Sequence, residues 1–223
     1  MAHLQQMDLL AEITQSFALD NGAFSLWSSG QRVNFDAFAQ FVREWHLHPG
    51  FDWCLIPDVI DGSEQENEAT VWRWLDAGFS RFSSVPVWHL HESLHYLDRL
   101  ASAFPRIALG SSGEWATPGT ERWWERIAEA MSVACDDRGR PRAKLHGLRM
   151  LDPTVFSSIP LASADSSSVA RNVGLDSRWQ RGYLAGISKE VRAEVLIDRI
   201  EAHASAATWS APAFKQRNLD LLG

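Results

Sequence analysis

Apolar strand-like runs and helical periods alternate along this chain without a break, and that alternation restricts the fold more than any other feature. FALDN (17–21), FDWCLIPDVI (51–60), VPVWHL (85–90), RIALGSS (106–112), KLHGLRM (144–150) and PLASADS (160–166) are short, apolar and strand-like. Pro57 should end the second of them, because proline has no N–H to give to a ladder. Helical spacing separates the runs. Phe38, Phe41, Val42 and Trp45 mark a helix over 35–45, and residues 63–77 form another with Ser63 as N-cap and Glu66 at the capping-box position. Further helices are predicted over 93–104 and 120–134, the latter with Trp123, Ile127 and Met131 four apart. A short one over 152–159 carries Pro153 in its first turn, and a last one runs over 188–205.

Six strand–helix units in strict order predict a parallel sheet with right-handed crossovers. An open doubly wound sheet and a barrel both satisfy that order. No glycine-rich phosphate fingerprint follows the first strand, which counts against a dinucleotide-binding fold. The expected class is therefore α/β, a compact (β/α)8 TIM-barrel-like domain over residues 1–223 that is two strands short of eight. The gaps are expected before residue 1 and within 175–187, since residues 4–15 have a helical pattern.

Composition excludes several classes. The chain has 223 residues, 45% hydrophobic and 22% charged, as ordinary globular domains do. Its net charge of −7 argues against coating nucleic acid by bulk electrostatics, although local basic clusters occur at Arg138, Arg140, Arg142 and Lys144 and at Arg171, Arg178 and Arg181. Two cysteines, Cys54 and Cys135, without CxxC spacing support neither a zinc site nor a disulfide framework. With no signal peptide and no membrane-length apolar run, the expected location is the cytoplasm, with no membrane partner.

Two aspartates stand where strand-like runs give way to small polar residues: Asp20 in ALDNGAFS and Asp165 in IPLASADSSSVARNVG. Parallel α/β proteins build their chemistry at such strand ends. A lone aspartate after a strand is more often an N-cap or a turn residue, so the weight lies in the set rather than in either member.

The set resembles the queuine/archaeosine tRNA-guanine transglycosylase superfamily over about residues 17–174. LDNGAFS is similar to the family's D-S-G-G-[FY]-Q segment and LIPDVI to its base-recognition aspartate. RIALGSSGEW is similar to A-[LV]-G-G-L-A-V-G-E, KLHGLRMLDP to H-Y-L-M-G-V-G-x-P, and LASADSSSVARNVG to D-x-x-x-P-x-R-x-x-R-x-G. The resemblance implies that Asp165 is the nucleophile, that Asp20 is the second catalytic aspartate, and that Asp58 recognises a guanine-like base. It implies backbone contacts to that base from Gly110 and Ser111, a side-chain contact from His89 where the family has glutamine, and a sandwich of the base between Phe24 and Met150.

The residue types suit that chemistry. Base exchange at a glycosidic carbon needs a carboxylate that attacks C1′, as in retaining glycosidases, and an acid that protonates the departing base. Paired carboxylates push each other's pKa values apart, which separates the two roles. Asp58 would accept from the ring N–H and exocyclic amine of guanine, a pattern that adenine lacks.

The family's tRNA enzymes carry a C-x-C-x-x-C zinc segment that is missing here, as are the proline and first arginine after the nucleophile. A minimal barrel without that segment is similar to the phage and bacterial branch that inserts 7-deazaguanine bases into DNA, a modification a phage would use to escape restriction. DNA, alternatively tRNA, is thus the expected partner. The free base would be 7-cyano-7-deazaguanine or a relative, and the family's habit allows a homodimer. The expected backbone contacts are Arg140, Arg142 and Arg171, with no cofactor and no metal. His89, His91 and His95 fit core or rim histidines better than a metal cluster, Trp123–Trp124 fits helix packing, and His146 a hydrogen-bonded strand residue. The rival readings are the same fold acting on RNA or a free nucleoside, and a catalytically silent barrel subunit. A plain phosphate-binding or sugar-isomerising barrel ranks last.

Overall fold

A computed structural model describes residues 12–166 and 188–210, together with Met7 and Leu9. The strands are β1 (Phe17–Leu19), β2 (Phe51–Leu55), β3 (Ser84–Val85), β4 (Val87–His89), β5 (Arg106–Gly110), β6 (Lys144–Gly147) and β7 (Leu161–Ala164). The helices are α1 (Ala23–Ser28), α2 (Phe35–Trp45), α3 (Glu64–Asp76), α4 (Leu94–Ala103), α5 (Glu121–Ala134), α6 (Pro153–Phe156) and α7 (Lys189–Glu201). Every ladder is parallel, in the orders β1-β2-β3 and β4-β5-β6-β7. The α/β class expected from the alternation is what the chain adopts.

The two ladders meet at Pro86. Val85 accepts from Ile56 N–H on the β2 side at 2.9 Å, and Pro86 accepts from Ala108 N–H on the β5 side at 2.9 Å. The missing N–H of Pro86 removes one rung, so the single run expected over 85–90 appears as two short strands in one extended segment.

Side chains alternate across the strands. Cys54, Ile56, Trp88, Leu90, Ile107, Leu109 and Leu145 face the helices and join the main core, where Trp74, Trp88 and Trp123 are fully buried. Trp53, Leu55, Val85, Val87 and Ala108 point the other way into a second, smaller apolar cluster with Leu148. That second face is concave. Trp53 of β2 and His146 of β6 stand three strand spacings apart, about 14 Å across a flat sheet, yet their rings lie 4.8 Å apart, so the sheet must curl. Arg106 of β5 also covers the Trp53 ring, at 5.0 Å. Among the described residues no ladder joins β1 to β7.

Helix boundaries follow local chemistry. The Ser63 side chain accepts from Glu66 N–H while the Glu66 carboxylate accepts from Ser63 N–H, which closes the predicted capping box on α3. Asn34, Ser93, Thr120, Asp152 and Ser188 cap α2, α4, α5, α6 and α7 through side-chain oxygens. No helical period marks α1, which follows Gly22 in the left-handed region at φ 72°. The strand expected within 175–187 lies outside the described residues.

Candidate functional site

The C-terminal ends of the strands surround a cavity of about 230 Å³. Asp20 stands directly after β1, Asp58 three residues after β2, His89 and Gly110 end β4 and β5, Leu148 and Arg149 follow β6, and Asp165 follows β7. In a parallel βα fold every strand opens at the same end, so residues from 20 to 165 converge there.

Asp58 is held by a closed set of hydrogen bonds. Asn21 Nδ2 donates to Asp58 Oδ1 at 2.8 Å and also to the Ile56 carbonyl at 2.8 Å. The His89 Nε2 contact to Asp58 Oδ2 is 2.9 Å; a carboxylate only accepts, so Nε2 carries the proton. Both side chains of this pair are buried. Glu92 accepts from His89 N–H at 2.8 Å and from Asn67 Nδ2 at 2.8 Å. Asn67 in turn accepts from Val59 N–H at 2.8 Å and donates to Val59 carbonyl at 3.2 Å, fixing the residue next to Asp58. Burial pushes the Glu92 carboxyl up, against the opposing pull of the His89 N–H and the His89 ring.

Asp165 is held differently. Its Oδ1 accepts from Arg149 N–H at 2.6 Å, and its backbone N–H donates to Gly147 carbonyl at 3.1 Å. His146, anchored to Ser163 Oγ at 2.9 Å, brings Nε2 to 3.6 Å from Asp165 Oδ2. Arg149 adopts φ 60°, a left-handed conformation uncommon outside glycine, which turns its N–H toward the carboxylate. Its guanidinium lies 4.1 Å over the Phe24 ring.

Asp20 is solvent-accessible, yet the cavity walls deprive it of bulk water. That desolvation raises its pKa above 3.8; the Gly22 N–H opposes the shift, and the charges of Asp165 and Asp58 add to it. A cavity with carboxylates of which one is held toward its protonated form can offer both a nucleophile and a proton donor.

Gly110 has a steric reason for its identity. A Cβ there would lie 2.8 Å from His89 Nδ1 and 3.2 Å from Val87 Cγ1. Ser111 lines the cavity while its hydroxyl accepts from Trp123 Nε1 at 2.9 Å, so that side chain is tied to α5.

Asp20, Phe24, Asp58, His89, Gly110, Ser111 and Asp165 therefore line one cavity. Met150 does not join them. It is fully buried in the helix-facing core, and Leu148 and Arg149 occupy the cavity wall instead, because the tight turn after β6 directs Met150 back against Gly147. Arg140 and Arg142 are also misplaced as site residues. They lie in the segment that leads from α5 into β6, at the opposite end of the strands. Arg142 there spans Asp98 at 2.6 Å, Ser102 at 2.6 Å and Val133 carbonyl at 3.0 Å, which ties α4 to α5. Arg171 lies outside the described residues. Among the described residues, the arginine that lines the cavity is Arg149, in a stretch where one arginine between Leu148 and Met150 gives no pattern to notice.

His91 contacts Ser112 Oγ at 2.8 Å and Gly62 carbonyl at 2.9 Å, whereas the buried His89 Nδ1 has no hydrogen-bond partner. Among the described residues no cluster of three or more His, Cys, Asp or Glu is arranged to hold a metal ion. Among them, too, no helix is long and apolar enough to cross a membrane.

Fold and site together define an α/β protein with a carboxylate-lined cavity at the C-terminal ends of a curled parallel sheet. No family model matches the sequence, and no curated protein does. A solved structure described as "Structural study of Project ID from Aquifex aeolicus VF5" is similar at 14% identity and TM-score 0.46, over 89% of this chain and 66% of that one. The chain thus spans about two thirds of that neighbour's length.

Proposed function

We propose that the protein is a base-exchange transglycosylase that replaces guanine in DNA with a 7-deazaguanine through a covalent sugar–Asp165 ester. The observation that carries the reading is the convergence of Asp20, Asp58 and Asp165 in one cavity, although the first and last are 145 positions apart. On this reading the curled sheet is the wall of a (β/α)8-type barrel.

The reaction has two halves. Asp165 attacks C1′ as the C1′–N9 bond breaks, the bonding pair leaves with guanine, and Asp20 supplies the proton that neutralises it. The incoming base then gives its N9 proton to Asp20, attacks C1′ and displaces the Asp165 carboxylate. Asp58, its oxygens oriented by Asn21 and His89, keeps a free lone pair on each for the N–H groups of the guanine-type edge. Phe24 supplies one stacking face for the extruded base, whose unstacking costs a few kcal/mol. Arg149 takes the phosphate-contacting role that the sequence suggested for Arg140 and Arg142.

The test is guanine release. Duplex DNA and bulk tRNA carrying radiolabelled guanine are incubated with the protein and 7-cyano-7-deazaguanine, with Asp165→Ala in parallel. Release from DNA by the wild type, at least a hundredfold lower in the variant at roughly the scale of a lost nucleophile, is the expected result. Release from tRNA alone would keep the mechanism and change the polymer. Equal behaviour of wild type and variant would overturn the role of Asp165 and favour a silent barrel subunit.

A further inference from the structure

Beside the carboxylate cavity lies a second one of about 200 Å³, and the two share Ala23, Asp58 and Ile60 in their walls. The partition between them is narrow. Helix α1 serves both sides: Phe24 faces the first cavity and Trp27, one turn on, lines the second. Their rings are 5.8 Å apart and tilted by 41°, and the Arg149 guanidinium lies 4.1 Å over the Phe24 ring.

Trp27 is 43% exposed and lines the second cavity, so its ring is open to a stacking partner there. Around it the second cavity offers polar groups of both kinds. The Gln31 amide can donate and accept, the Asp61 carboxylate can accept, and Arg32 has only a loose 3.8 Å contact with Glu66. A flat ring with polar edges fits this lining better than an aliphatic group would, because it stacks on indole and satisfies Gln31 and Asp61 at its rim. A phosphate fits the cavity interior poorly, since Asp58 and Asp61 both face it, which leaves Arg32 to meet a phosphate at the edge.

We infer that the second cavity is a subsite for the nucleobase adjacent to the exchanged guanine, stacked on Trp27. The inference rests on the polynucleotide reading of the first cavity and adds what holds the strand once its guanine has been extruded. A shared wall at Asp58 sets consecutive bases on either side of one carboxylate.

The test uses the full chain and fluorescein-labelled single-stranded oligonucleotides containing one guanine, with anisotropy as readout. Equilibrium dialysis with free guanine runs in parallel. Trp27→Ala is expected to weaken oligonucleotide binding about tenfold, the loss of one base–aromatic stack, with Trp27→Phe restoring most of it and guanine binding unchanged throughout. An oligonucleotide abasic next to the guanine should bind wild type and Trp27→Ala equally. Wild-type affinity in Trp27→Ala, or a full-size effect of the variant on the abasic strand, overturns the subsite while the guanine-binding arm still reports on the first cavity. Loss of guanine binding in Trp27→Ala would also overturn it, by showing that the change disturbs α1 as a whole. Failure of the wild type to bind either probe would remove the transglycosylase reading itself.

Discussion

Asp20 shows how one residue carries opposing demands. Burial in the cavity and the charges of Asp165 and Asp58 raise its pKa above 3.8, so the folded state binds its proton more tightly than the unfolded chain does. Stability from this group is therefore fully present below that ordinary value and falls as pH rises through the raised one. Asp20→Asn removes an ionised group that the fold disfavours, and thermal denaturation at pH 7 should show a higher Tm for the variant. The gap should close as pH is lowered toward 3.8. On the proposed reading, base exchange should be lost in the same variant, since the amide cannot pass a proton to the leaving base.

At the scale of elements, the loop after β2 is held by neighbours rather than by its own residues. Asn67 on α3 bonds both backbone groups of Val59 and one oxygen of Glu92. Asn67→Ala would leave the part-buried Val59 N–H and the buried Glu92 carboxylate without their Asn67 partner, at about 1–3 kcal/mol. Urea denaturation should then show a lower midpoint with an unchanged slope. The capping box on α3 was legible because Ser63 and Glu66 stand three apart before an apolar period. The role of Asn67 was not, since an asparagine inside a helical pattern gives no sign that its amide meets a loop and a second carboxylate. Helix α1 was missed for a related reason: six residues give too little periodicity, and its start rests on the φ of Gly22.

For the whole molecule, charge distribution matters more than charge sum. The chain carries −7 overall, and its densest basic run sits at the end of the sheet away from the cavity. Binding to a polynucleotide should therefore depend only weakly on salt. Arg149→Gln should weaken oligonucleotide affinity and lower the slope of log K against log salt by about one, the signature of a single phosphate contact. Titrations across several salt concentrations would measure it. Arg142→Gln should leave that slope unchanged, because its guanidinium is committed to Asp98 and Ser102.

Local chemistry written in the sequence was enough to specify the order of strands and helices, the stop at Pro57, the capping box at Ser63 and Glu66, and the presence of aspartates at strand ends, because these depend on neighbours within a few residues. It was enough also to group Asp20 and Asp165, since parallel strands joined by helices open at one end. Which side chains enter the cavity was decided by packing. Met150 turns into the core and Arg149 into the site, through one left-handed residue and the steric demand of Gly147. The pairing of His89 with Asp58 and the curl that brings Trp53 against His146 join residues 31 and 93 positions apart. Contacts at such separations are set by how the sheet bends as a whole, and no local pattern in the chain encodes them.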